Sequence, residues 1–184
     1  MSMVSYVVIP GIDGSDGQHW QTLWEKRWGV LGVRIEPRSW SEPDLADWID
    51  SVQTAFEVAS ERDSDVVLVA HSLGCWAAAV WLGRNPSAQV KGAFLVAPPD
   101  PRGSAFPSTA APTFLSVEAR TLPCPSLVVA SADDPYCTLD AARRLAAGWG
   151  SAWHPAGAVG HVNSASELGS WPRGQGVLEA FVQR

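Results

Sequence analysis

The sequence predicts an α/β three-layer sandwich built around a mostly parallel sheet, and three observations support this. Short runs of continuous aliphatic residues recur along the chain, segments with helical spacing separate them, and most connections are brief. A strand with one solvated face alternates apolar and polar residues, whereas a strand covered on both faces is apolar throughout, as these are. Strands are expected at Ser5–Ile9, Gly32–Ile35, Asp65–Ala70, Lys91–Ala97 and Ser126–Ala130, with a weaker one at Ala152–His154. Alternating strand and helix imply right-handed crossovers, which place helices on both faces of the sheet.

The helices follow from spacing. Asp16–Trp28 carries Trp20, Leu23, Trp24 and Trp28 at i, i+3, i+4 and i+8, one face of a helix. Asp44–Ser60 turns Leu45, Trp48, Ile49, Val52 and Phe56 inward and has acids near its start, where the helix dipole favours them. Leu73–Gly83, Asp140–Trp149 and Gly174–Gln183 supply three more. One segment breaks the rhythm. Pro98–Pro125, rich in Pro, Ser, Thr and Ala, is longer than an ordinary connection needs and follows a strand's carboxyl end, the ligand side of such sheets. It reads either as a surface excursion or as a lid.

Composition narrows the function. The 184 residues suit a single domain over 1–184 with a full core; 46% are apolar and 17% charged, which leaves no room for a long disordered tail. A formal charge of −6 with no basic run argues against a nucleic-acid partner. No apolar run approaches the ~20 residues of a membrane span, and "MSMVSYVVIPG" has no basic leader, so a cytoplasmic protein is expected. Cys75, Cys124 and Cys137 have no metal-type spacing and read as reduced thiols. The ten Trp residues read as core filling and surface capping, or else as an apolar wall beside a substrate.

The most informative stretch is "VVLVAHSLGCWAAAVWL", Val66 to Leu82. A Ser on a tight strand-to-helix turn is pushed into solvent above the sheet, and the free N–H groups of the following helix face it. The turn needs small residues two positions to either side, and these are Ala70 and Gly74, so the pattern is A-x-S-x-G rather than G-x-S-x-G. Ser72 is therefore the candidate nucleophile; the alternative is a helix N-cap. A Ser hydroxyl needs a base, and the base needs an orienting acid. In this fold they should follow in the order acid, then His. "PSLVVASADDPYC" offers Asp133 and Asp134 after a strand, and "PAGAVGHVNSAS" offers His161 in a Gly-rich loop. Asp134 is preferred because it lies further beyond the strand and precedes Pro135, while Asp133 suits the N-terminal cap of that turn.

His71 precedes Ser72, so its side chain should point away, as a packing or hydrogen-bonding residue beneath the turn. His154 sits too far upstream of the loop. An oxyanion hole requires two backbone donors: Leu73, next to Ser72, and Ile12 in "VVIPGIDGSDGQHW", whose glycines let backbone approach closely. A phosphate-binding reading of that loop fails for want of G-x-G-x-x-G spacing or a Walker-type Lys, and Asp13 and Asp16 would repel phosphate.

With "PGIDGSDGQHWQTLWE", "AHSLGCWAA", "SADDPYC" and the late "GH" assembled, nearly the whole chain resembles the small serine-hydrolase family typified by retinoblastoma-binding protein 9. The resemblance implies a compact α/β-hydrolase-like sheet without a separate cap domain and a triad of Ser72, Asp134 and His161. It also implies a role for His19 and Trp20 at the loop-to-helix junction, structural rather than substrate-binding. Ala70 and the Pro98–Pro125 segment depart from the family pattern. The expected activity is ester hydrolysis, without metal or organic cofactor, on a small-molecule ester-like substrate. The rival readings are a thioesterase or amidase using the same groups, or a catalytically weak interaction protein with a protein partner.

Overall fold

The computed structural model describes residues 3–86 and 88–183. Six strands form one sheet: β1 (Ser5–Ile9), β2 (Gly32–Arg34), β3 (Val66–His71), β4 (Val90–Val96), β5 (Ser126–Ser131) and β6 (Ala152–Gly157), in the order β2-β1-β3-β4-β5-β6. Every pairing is parallel. The chain moves from β1 to β2 on one side and returns to β3 on the other, so a topological switch point lies between β1 and β3, where a crevice opens at the strands' carboxyl ends. β6 gave the weakest signal in the sequence because it is an edge strand, partly exposed and carrying Pro155.

The α-helices are α1 (Trp20–Trp28), α2 (Leu45–Arg62), α3 (Gly74–Arg84), α4 (Leu139–Trp149) and α5 (Pro172–Val182). Two apolar layers sandwich the sheet. One joins Val7, Ile9, Leu68 and Leu95 to Trp48, Val52, Trp76 and Trp81 of α2 and α3. The other joins Val67, Val69, Phe94 and Val96 to Trp20 and Trp24 of α1 and Leu178 of α5. Six Trp side chains are completely buried, which makes core filling their principal role. The Pro98–Pro125 segment forms no separate domain: Phe106, Ala111, Phe114, Val117 and Leu122 are buried in the α2–α3 layer.

Helix boundaries depart from the expected ones where side chains cap them. Asp16 does not begin α1. Its carboxylate accepts from the Gln18 and His19 N–H groups, which closes a turn ahead of the helix, and His19 Nδ1 accepts from Gln21 N–H as the cap. Thr138 caps α4. α5 starts at Pro172, whose fixed φ and missing N–H suit a first helical position. The expected inward face of α1 also needs correction. Gln21 is fully buried, while Leu23 is partly exposed. The Gln21 Nε2 donates to the carbonyls of Ile9 and Val69 at 3.3 and 3.0 Å, and its Oε1 accepts from Ser15 Oγ at 2.7 Å. One amide thus ties the loop after β1 to two adjacent strand ends. Replacing Gln21 by Met keeps the volume but removes these bonds, and should cost roughly 1–3 kcal/mol by urea unfolding. Leu23→Met, at a half-buried position, should cost under about 1 kcal/mol.

Candidate active site

β3 runs straight into the turn carrying Ser72, whose φ is 55°, a left-handed conformation for a residue with a Cβ. The helix that follows can pass beneath β1 only without a side chain at its first position. A Cβ on Gly74 would stand 2.4 Å from the carbonyl oxygens of both Ile9 and Pro10. A Cβ on Gly11 would stand 2.7 Å from Ser72 Cβ. Ala70, where the usual pattern has Gly, fits its methyl into the α2–α3 layer.

His161 lies 89 positions beyond Ser72 and 27 beyond Asp134, yet all three meet at the carboxyl edge of the sheet. Ser72 Oγ and His161 Nε2 are 2.8 Å apart, and His161 Nδ1 lies 2.9 and 3.0 Å from the two Asp134 oxygens. An ionised carboxylate only accepts, so Nδ1 carries the proton and Nε2 of the neutral ring accepts from the Ser72 hydroxyl. Asp134 is buried, and its Oδ1 also accepts from Tyr136 N–H at 2.9 Å. Asp134 therefore closes its own turn, and Asp133 does not cap it. Asp133 instead faces the His161 loop: its Oδ1 accepts from Gly160 N–H and from Ser131 Oγ, both at 2.8 Å, and these bonds hold its carboxyl below the usual range.

The loop after β1 comes alongside. The Asp13 N–H donates to the Trp40 carbonyl and the Gly14 N–H to the Gly11 carbonyl. Ile12 and Leu73, the expected oxyanion donors, have N–H groups with no acceptor among the turn and loop hydrogen bonds of the described residues. Asp16, held low chiefly by a hydrogen bond from Ser164 Oγ, links this loop to the one carrying His161.

A cavity of about 450 Å³ reaches Ser72 and His161 and is walled by Ile12, Pro99, Pro107 and Tyr136, with no Trp among its lining residues. Tyr136, which nothing in the sequence singled out, packs on the His161 ring with centroids 4.5 Å apart. A larger cavity of about 570 Å³, between the β4–β5 excursion and α4, holds neither Ser72 nor His161. Among the described residues no cluster of His, Cys, Asp and Glu is placed to hold a metal ion, and no helix is long and apolar enough to cross a membrane.

A model of the serine hydrolase family matches residues 6–180. The chain belongs to the serine hydrolase family. Its structural likenesses agree. A YdeN-like hydrolase from Pectobacterium atrosepticum shares 29% identity at a TM-score of 0.84, covering 98% of this chain and 91% of that one. The ydeN gene product of B. subtilis shares 23% at 0.71, with all of both chains covered. The type II thioesterase BorB of the borrelidin biosynthetic cluster shares 15% at 0.65, over 97% of this chain and 92% of that one, a likeness of fold. No curated protein matches. This serine hydrolase thus has the α/β-hydrolase fold that its sequence motifs implied.

Two further histidines lie beneath its site. His71 packs on His161 and His19 packs on His71, with ring centroids 5.0 and 4.8 Å apart. His71 matches the expected hydrogen-bonding residue beneath the turn. Burial pushes its pKa well below the ordinary imidazole value, and the His161 and His19 charges add to this. Burial likewise lowers His19 to about 4, with Asp16 opposing the shift and Arg34 and His161 reinforcing it. Between pH 6.5 and about 4 the unfolded chain therefore binds protons at His19 that the folded one does not, so stability falls as pH falls through this window. At ~1.4 kcal/mol per pKa unit, the loss at His19 alone should amount to roughly 3 kcal/mol over the whole window. Asp16 and Asp133 act in the same direction only near and below 3.8. Urea unfolding of His19→Asn, which keeps a capping side chain, should show a shallower loss of stability from pH 7 to pH 5 than the parent.

Proposed function

We propose that this protein is a carboxylesterase acting on small or medium esters, with residues 1–184 forming one catalytic domain. Ser72 is the nucleophile, His161 the general base and acid, and Asp134 the orienting acid. The supporting observation is the continuous contact from Ser72 Oγ through the His161 imidazole to the Asp134 carboxylate, at 2.8 and 2.9 Å.

In acylation the Ser72 Oγ–H proton passes to His161 Nε2 as Oγ bonds to the ester carbonyl carbon. The carbonyl oxygen becomes an oxyanion, for which the Ile12 and Leu73 N–H groups, without an acceptor among the turn and loop hydrogen bonds of the described residues, are the donors. Asp134 stabilises the imidazolium without taking its proton. Collapse breaks the bond to the leaving alcohol, and His161 delivers its proton to that oxygen. Water then repeats the sequence on the acyl-enzyme, releasing the acid and restoring Ser72. The relay calls for no metal or organic cofactor. A cavity of about 450 Å³ with Pro99, Pro107 and Ala110 on its wall suits a compact, partly apolar acyl or alcohol group. The free thiols Cys75, Cys124 and Cys137 suit a reducing compartment such as the cytoplasm.

A fluorophosphonate probe should label Ser72, and Ser72→Ala should remain folded and unlabelled. A folded parent protein that resists the probe would favour the interaction-protein reading. Hydrolysis of p-nitrophenyl acetate should be lost in His161→Ala, which removes the base. Asp134→Asn should reduce kcat by roughly 10⁴-fold through loss of the correct tautomer. A rate on a matched thioester far above that on the oxygen ester would reassign the substrate class.

A further inference from the structure

Val162, immediately after His161, is buried, β-branched and held at a φ of 52°. Such a residue crowds its own backbone in the left-handed region and stays there only where its surroundings over-determine it. Three hydrogen bonds do so, on three successive residues. Asp133 Oδ1 accepts from Gly160 N–H at 2.8 Å, His71 Nε2 lies 2.9 Å from the His161 carbonyl oxygen, and Trp20 Nε1 donates to the Val162 carbonyl at 2.8 Å. A carbonyl only accepts, so His71 Nε2 carries a proton and donates it. His71 and Trp20 are buried, and both come from parts of the chain remote from the loop they hold.

Resting on the assignment of Ser72, His161 and Asp134 above, we propose that His71 is a positioning residue: with Trp20 and Asp133 it clamps the strained backbone of residues 160–162, keeping the His161 imidazole aligned between Asp134 and Ser72. The residue before the nucleophile thus fixes both partners. Its main chain carries Ser72, and its side chain holds the loop of the base. Without the clamp, Val162 relaxes toward negative φ, the flanking peptide turns, and the imidazole swings off Oγ; misplacement by ~1 Å costs on the order of 100-fold in rate.

The donor must also be uncharged, because a cation beside His161 would oppose the imidazolium that forms during reaction. The titratable groups around His71 are His19 and His161; burial first and then their charges keep it neutral, against the smaller opposing effect of the bond to the His161 carbonyl. The early His-Trp pair and the His before the nucleophile therefore act together. Trp20 and His71 hold adjacent carbonyls, while His19 packs behind His71.

The full-length protein tests the clamp by its fluorophosphonate labelling rate, by kcat and KM on p-nitrophenyl acetate, and by urea unfolding. His71→Phe keeps a ring and removes the donor. Its labelling rate and kcat should fall roughly 10- to 100-fold, with KM within about twofold of the parent. His71→Gln, whose amide N–H reaches toward the same carbonyl, should recover most of the loss. Asp133→Ala removes an exposed carboxylate on the other side of the loop and should show the same fall in kcat; it carries the test if His71→Phe does not fold. A stable His71→Phe labelled within about twofold of the parent rate overturns the proposal. So does a His71→Gln variant as slow as His71→Phe at equal stability, or an Asp133→Ala variant at the parent's rate. An unlabelled parent would instead overturn the assignment of Ser72 as nucleophile.

Discussion

Two stretches of backbone pass each other at the switch point of the sheet with no room for a side chain between them. Gly74 opens α3 against the carbonyls of Ile9 and Pro10, and Gly11 lies against Ser72. This approach brings the loop after β1 over the first turn of α3, where the helix dipole is positive. A methyl at Gly74 would push the helix away from β1 and carry Leu73 and Ser72 away from the loop that holds Ile12. The polar chemistry proposed for the site therefore rests on a steric condition at two glycines.

The second support is a buried aromatic layer under the site. Trp20, Trp24 and Trp171 pack edge-on or stacked against one another, and the histidine rings continue that packing up to His161. Burial keeps His71 and His19 neutral, so they supply directed N–H and lone-pair groups without adding charge beside the site. The two adjacent acids divide their work by depth. Asp134 is buried against the imidazole, whereas Asp133 is exposed and grips the loop backbone. Neighbours in sequence, they point in different directions because the turn after β5 separates them.

The fold was largely legible because doubly buried parallel strands have few sequence alternatives: Val66–His71 is apolar at almost every position and buried at all of them. The placement of Ser72 and His161 at one edge of the sheet was legible for a related reason, since a tight strand-to-helix turn and a Gly-rich loop each leave a local signature. Gln21 was not. Its place on an apolar helix face suggested nothing, because a buried amide is recognisable only once the strand carbonyls that it satisfies are in place. The position of Asp133 suits a turn cap, since Asp commonly caps the turn that follows it, yet its partner Gly160 is 27 residues away. Tyr136 and Val162 left no signal at all.

By itself the sequence determined the layer architecture, the order of strands along the chain and the side chains proposed to carry the chemistry, because hydrophobic periodicity and turn residues act within a few positions of one another. Only the tertiary structure decided which acid meets the imidazole, which ring holds the loop beneath it and how the Pro98–Pro125 segment packs. Those outcomes depend on hydrogen bonds and close contacts between residues tens of positions apart, and such partners have no fixed spacing in the chain until the sheet has brought its carboxyl ends together.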